Sequence, residues 1–141
     1  DRDALRAGLV DGTIDCICSD HTPVDAAAKQ PPFGEAEPGA TGLELLLPLV
    51  LRWAEQEKLP LATALARVTS DAARVLEIDK GRITVGASAD LAIFDPCAPL
   101  RITAQTLKSQ GKNSPFLGYE LAGQVRYTLV AGNPVYEIAA R

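Results

Sequence analysis

Hydrophobic and polar positions follow three successive rhythms along the chain. Over residues 3–9, Ala4, Leu5 and Leu9 keep a helical spacing, and Gly12 follows where a left-handed residue closes a helix. Ile14–Cys18 is a short unbroken apolar run between Gly12 and Ser19-Asp20, the pattern of a buried strand in a parallel sheet. On such a strand Ile14, Cys16 and Cys18 share a face, and Asp20 continues it at the carboxyl end. That end is where α/β barrels gather their chemistry.

The second rhythm is helical. Ser19–Ala40 is a loop punctuated by Pro23, Pro31, Pro32 and Pro38, and loops of this length are commonly functional lids. Thr41-Gly-Leu-Glu44 then reads as a capping box, with hydroxyl and carboxylate bonding reciprocally to backbone amides. Behind it, Leu43, Leu46, Leu47, Val50, Leu51 and Ala54 form a helical stripe, widened by Leu45 and Leu49. Pro48 falls inside this helix and predicts a bend. Pro60 starts another helix with Leu61, Leu65 and Val68 on its apolar face, and Ser70-Asp71 caps a short continuation through Leu76.

From Gly81 the period shortens to two. "GRITVGASADLAIFDP" carries β-branched residues, turn signals and the run Leu91–Phe94. "QVRYTLVAGNPVYEI" alternates Val125, Tyr127 and Leu129, then turns at Gly132-Asn133 into Val135 and Tyr136, which predicts a hairpin. Between them "LKSQGKNSPFLGYEL" is too rich in Gly, Ser and Asn for a regular element. A boundary is expected near Ile78–Lys80, with helices before it and a small β unit after it.

Composition adds limits. The 141 residues are 47% hydrophobic and 23% charged, ordinary for a folded domain with a core. A formal net charge of −4 gives no basic footprint for nucleic acid. No apolar run approaches the roughly 18 residues of a membrane span, and no signal peptide opens the chain, so a cytoplasmic location is expected. The chain contains no methionine, so it reads as a fragment of a larger protein.

Two clusters could carry chemistry. Cys16-Ile-Cys18 would place two thiols on one face of a strand, fit for a soft metal, but small buried hydrophobes in a reduced compartment fit the same spacing. Cys97 stands apart. Asp20-His21 holds the only histidine. Taken alone, the dipeptide is a turn or a helix cap as readily as a site.

Four stretches change that balance. "DGTIDCICSDHTP", "PGATGLELLLPLVL", "GRITVGASADLAIFDP" and "KSQGKNSPFLGYELAGQVRYTLVAGNPVYE" together resemble, in order, the carboxyl-terminal third of a dihydroorotase of the amidohydrolase superfamily. The combination of Asp-His-Thr-Pro with Lys-Asn-Ser-Pro-Phe carries most of the specificity. The resemblance implies an α/β fold, the carboxyl-terminal fragment of a (β/α)8 metal-dependent hydrolase barrel plus part of a small β-sandwich-like domain. Residues 1–78 would supply the last barrel strand, the substrate loop and helices, and residues 79–141 the carboxyl-terminal part of the β domain.

The same resemblance implies reversible hydrolysis of dihydroorotate to carbamoyl aspartate on one or two zinc ions. Of the family's metal ligands, only the last-strand aspartate falls within this chain, and it matches Asp20, as metal ligand and catalytic proton shuttle. Pro38 and Gly39 match loop positions whose backbone contacts substrate; Phe33-Gly34 looks similar but stands five residues too early. His21 is read as a hydrogen-bonding or packing histidine rather than a ligand. The departure is Val24, which replaces the histidine that binds the substrate carboxylate in active members; an isopropyl group donates no hydrogen bond.

Two functions follow as expectations. One is an active zinc dihydroorotase. The other, favoured by Val24 and by the wording of "SDHTPVD" and "EAEPGATGLELLLPL", is a non-catalytic dihydroorotase-like scaffold for aspartate transcarbamoylase. This fragment alone is expected to lack zinc and activity and to self-associate through the Leu43–Leu51 helix.

Overall fold

In the computed structural model, residues 1–138 are described, so the last three positions of the 79–141 unit lie outside the described residues. The chain begins with helix α1 (Arg2–Asp11), closed by Gly12 at φ 87° with its amide on Gly8 O at 3.1 Å. Helices α2 (Leu46–Glu57), α3 (Leu61–Ala66) and α4 (Ser70–Val75) follow. Strands β1 (Leu91–Arg101), β2 (Glu120–Val130) and β3 (Asn133–Glu137) then form one antiparallel sheet in that order.

The expected buried strand at Ile14–Cys18 does not form. Its residues run without a ladder, Cys16 and Ile17 half-buried and Cys18 exposed. A strand requires a neighbour to take its amides and carbonyls. Here the backbone is tied at isolated points instead: Ile14 N to Gly8 O at 2.9 Å, Ile17 N to Arg67 O at 3.0 Å and Thr22 N to Ala40 O at 3.0 Å. All three cysteines are free, and the exposure of Cys18 corrects its reading as a buried hydrophobe.

The capping box is corrected too. A 3₁₀ turn at Leu43–Leu45 leads into α2, and neither it nor α2 has a capping bond from its own N-cap side chain. Because the α-helix proper starts at Leu46, Pro48 lies in its first turn, where amides lack intrahelical acceptors. The proline therefore needs no bend. It is fully buried, as is Leu45, whereas Leu43, placed on the stripe by its spacing, is 60% exposed. On α3 the buried residue is Ala64 and Leu61 is exposed. The residue before α4 is Thr69 rather than Ser70.

Two apolar clusters hold the chain together. Leu45 meets Ile102, Leu107 and Leu121, which joins the start of α2 to the sheet side. Val50, Trp53, Ala54 and Ala64 meet Leu9 and Ile17, which joins α2 to α3, α1 and the extended run. The sheet registers Leu91 against Leu129 and Arg101 against Glu120, with irregularities after Ile93 and between Asp95 and Pro99. There Asp95 Oδ1 accepts from the amides of Cys97 and Ala98 at 3.0 and 3.1 Å, so the carboxylate replaces ladder partners beside Pro96.

The predicted hairpin is present, but its turn lies one residue earlier than Gly132-Asn133, and Asn133 already belongs to β3. Val130 faces Asn133, and the two turn residues, Ala131 and Gly132, have φ of 49° and 81°. Positive φ at both positions is what a primed two-residue turn requires. Arg82–Val85 forms no strand; Ile83 and Val85 stand almost fully exposed. Residues 107–119 contain neither helix nor strand, as their composition predicts.

Candidate functional site

The site is assembled from three segments that lie far apart in sequence. The first is the turn after the extended run. Asp20 adopts φ 45°, a left-handed conformation that aspartate tolerates better than most residues. The Thr22 hydroxyl donates to Asp20 O at 3.3 Å. Val24 then turns inward and is 5% exposed.

The second segment is the loop end at 38–43. Gly39 has φ 128°, and a Cβ built there would lie 2.6 Å from Thr22 O and 2.8 Å from Val24 Cγ2. Only glycine lets the two loops approach this closely. The third segment is 107–113. The Thr41 hydroxyl, buried, donates to Gly111 O, Thr41 N donates to Asn113 O at 2.7 Å, and Asn113 Nδ2 donates to Gly39 O at 3.0 Å.

These contacts explain why Thr41 and Glu44 do not form a capping box. Thr41 spends its hydroxyl on Gly111, and the Glu44 carboxylate accepts from the amides of Lys108 and Ser109 at 2.6 and 2.7 Å. Burial pushes the Glu44 pKa up, but the two amides and the Lys112 charge outweigh it and hold the group below its ordinary value. The free amides at the helix start go instead to His21, whose Nδ1 accepts from Gly42 N at 3.2 Å and Leu43 N at 3.0 Å.

Beside this clasp lies a cavity of about 610 Å³. Its lining includes Ile17, Asp20, Gly39, Trp53 and Phe116, so it brings Asp20 and Gly39 together within a mostly apolar wall. Asp20 is exposed, so it lines the cavity on its solvent-open side. Pro38 is exposed and outside the lining, Val24 packs behind Gly39, and Phe33 is wholly exposed on the loop, far from the role its spacing mimics. Sequence reasoning missed Trp53, whose buried Nε1 has no acceptor among the described residues. Its signal was its spacing of three from Val50 on the α2 stripe.

One carboxylate at an apolar cavity can hold or pass a proton, but it does not hold a metal ion. Among the described residues no group of three His, Cys, Asp or Glu side chains converges. The His21 Nδ1 lone pair is already directed at two amides, which leaves that nitrogen unavailable to a metal. Residues 1–138 thus form no complete metal site among themselves. No described helix is long and apolar enough to cross a membrane.

The chain is 44% identical, over 97% of its length and 32% of the relative's, to a dihydroorotase-like protein of Pseudomonas aeruginosa. It is 40% identical, again over 97% of its length and 32% of the relative's, to a dihydroorotase of Geobacter sp. strain M21. Its fold superposes on L-hydantoinase (dihydropyrimidinase) from Arthrobacter aurescens with a TM-score of 0.85 and 32% identity, covering 94% of this chain and 31% of that one. The chain therefore spans about a third of the length of the relatives it matches. The profile of the Amidohydrolase family matches residues 3–136, and the chain belongs to that family.

Proposed function

We propose that this chain is the carboxyl-terminal part of a dihydroorotase-like protein of pyrimidine biosynthesis, and that the whole protein is a non-catalytic scaffold partner of aspartate transcarbamoylase in the cytoplasm. In this reading residues 1–78 complete a (β/α)8 barrel whose other strands lie elsewhere in a longer protein, and residues 79–141 belong to a small β domain. The apolar run Ile14–Cys18, which forms no ladder among the described residues, suits a strand awaiting that barrel.

The observation that carries the reading is Val24. Its side chain is buried with Cγ2 against Gly39, and its backbone N lies beside Gly111, at the position where the resemblance implies a substrate-binding histidine. A hydrophobic side chain packed there can neither donate to a carboxylate nor carry charge. The 44% identical relative named a dihydroorotase-like protein supports the same direction.

A second reading, an active zinc dihydroorotase, is favoured by Asp20 lining the cavity and by 40% identical relatives named dihydroorotase. Zinc would supply an activated water there. The remaining ligands would have to come from outside these residues, with Pro38 and Gly39 contributing backbone contacts to substrate.

The test is made on the full-length protein: zinc content, turnover of carbamoyl aspartate, and co-elution with aspartate transcarbamoylase. No turnover together with co-elution is expected. Stoichiometric zinc with steady turnover defeats the scaffold reading. Val24→His, which forces a polar ring into an apolar site, is expected to cost about 1–3 kcal/mol of stability without restoring turnover.

A further inference from the structure

We propose that His21 is a positioning residue: its Nδ1 serves as the cap of the 3₁₀ turn Leu43–Leu45 that leads into α2 and thereby fixes where Asp20 and Gly39 stand along the cavity. The amides that open a helix need acceptors, and Ser, Thr, Asp or Asn just before it usually provides one. Here the residue at that position is Gly42, which has no side chain, and the two local candidates are engaged elsewhere, Thr41 with Gly111 and Glu44 with Lys108 and Ser109. His21 supplies the missing acceptor from 21 residues away.

The geometry fixes the tautomer. An imidazole nitrogen that accepts two N–H groups carries no proton, so in the neutral ring the proton resides on Nε2. The anchor is also well placed. Asp20 on one side holds φ 45°, and Thr22 on the other donates its amide to Ala40 O at 3.0 Å while its own carbonyl crowds Gly39. Residues 20, 21 and 22 are therefore held against 39–43 as one unit. The His21 bonds act together with the Thr22 bonds to Ala40 O and Asp20 O in opposing relaxation of Asp20 toward commoner backbone conformations.

The inference rests on the proposed function only in taking Asp20 and Gly39 as the groups that matter. Its readouts concern the clasp itself, so stoichiometric zinc with steady turnover in the longer protein would count against the functional reading and not against this one.

The experiment uses the 141-residue chain labelled with ¹⁵N, in which His21 gives the only imidazole spectrum. At mildly alkaline pH the expected state is Nε2–H with Nδ1 unprotonated, together with slow exchange of the Gly42 and Leu43 amides. His21→Leu keeps the bulk without the acceptor and should speed that exchange roughly tenfold. It should also shift the Asp20 and Gly39 backbone resonances. His21→Asn should restore most of the protection and both resonances, because Asn Oδ1 and His Nδ1 each sit one bond beyond Cγ. An Nδ1-protonated ring, unchanged exchange in His21→Leu, or failure of His21→Asn to rescue a folded chain would overturn the proposal. Should His21→Leu not fold, the wild-type tautomer and the exchange rates of His21→Asn decide.

Discussion

The β1–β2–β3 sheet and the run Ile14–Cys18 both carry apolar, strand-like sequence and end in different states. In the sheet each strand finds its partner nearby, through a two-residue turn or within one loop, and the ladder enforces register from Leu91 to Arg101. In the run no such partner exists among the described residues, and consecutive residues from Ile17 to Asp20 all line the cavity rather than alternating. Pleating is imposed by the ladder, and an apolar run without one keeps only its hydrophobicity. The clasp around His21, Thr41, Glu44 and Asn113 does by single side-chain bonds what the ladder does for the sheet.

The largest test of this contrast puts the same methyl group into each region. Gly39→Ala would drive a Cβ to 2.6 Å from the Thr22 carbonyl and 2.8 Å from Val24 Cγ2, at φ 128°. Overpacking against backbone and a strained φ together are expected to cost about 3–5 kcal/mol. Gly132→Ala, in the hairpin turn, meets no atom closer than 3.9 Å, so only its φ of 81° is penalised. That strain is expected to cost about 1 kcal/mol. Urea denaturation of the two variants measures the difference. A Gly39→Ala loss no larger than that of Gly132→Ala would break the contrast.

How far the fold was legible follows the same division. The hairpin was readable because alternation and turn chemistry both lie within residues 125–137. The α2 start was readable in place but not in bonding. Thr41 and Glu44 do mark the helix entry, yet their partners lie 70 and 64 residues along the chain and the actual cap comes from His21. Local rules assign reciprocal bonds to a capping box, and tertiary competitors took both side chains. Ile14–Cys18 read as a strand because composition reports suitability for pairing and not the presence of a partner. For the site, the family resemblance singled out Asp20 and Gly39, and both line one cavity. Pro38 does not join them, and Trp53 was hidden within an ordinary helical stripe.

A smaller effect tests whether the clasp depends on the sheet side. Asn113→Ala removes the 3.0 Å bond to Gly39 O while leaving the Thr41 N bond to the residue 113 carbonyl available. The loss of one partly buried neutral hydrogen bond is expected to cost about 1 kcal/mol. Amide exchange should quicken at residues 39–41 and remain unchanged in β2 and β3. Equal quickening in the sheet would mean that the two regions open as one unit.

The least costly comparison uses acid. Asp90 sits at the hairpin end, where its side-chain bond from Lys80 and the Ala131 amide at 2.8 Å hold its pKa at about 2, against an ordinary 3.8. Glu44, in the clasp, is also lowered: burial raises it, but the amides of Lys108 and Ser109 prevail. Both folded-state values are depressed, so the unfolded chain takes up each proton first. Each group therefore stabilises fully above its ordinary pKa, and the contribution fades as pH falls toward the folded value. Below the ordinary carboxylate range, stability should fall with pH. Asp90→Asn is expected to flatten the part of that slope between pH 3.8 and about 2. Glu44→Gln should flatten the part that begins near 4.5 and should quicken amide exchange at Lys108 and Ser109 only. An acid slope unchanged by both substitutions would show that these carboxylates hold neither the clasp nor the hairpin end.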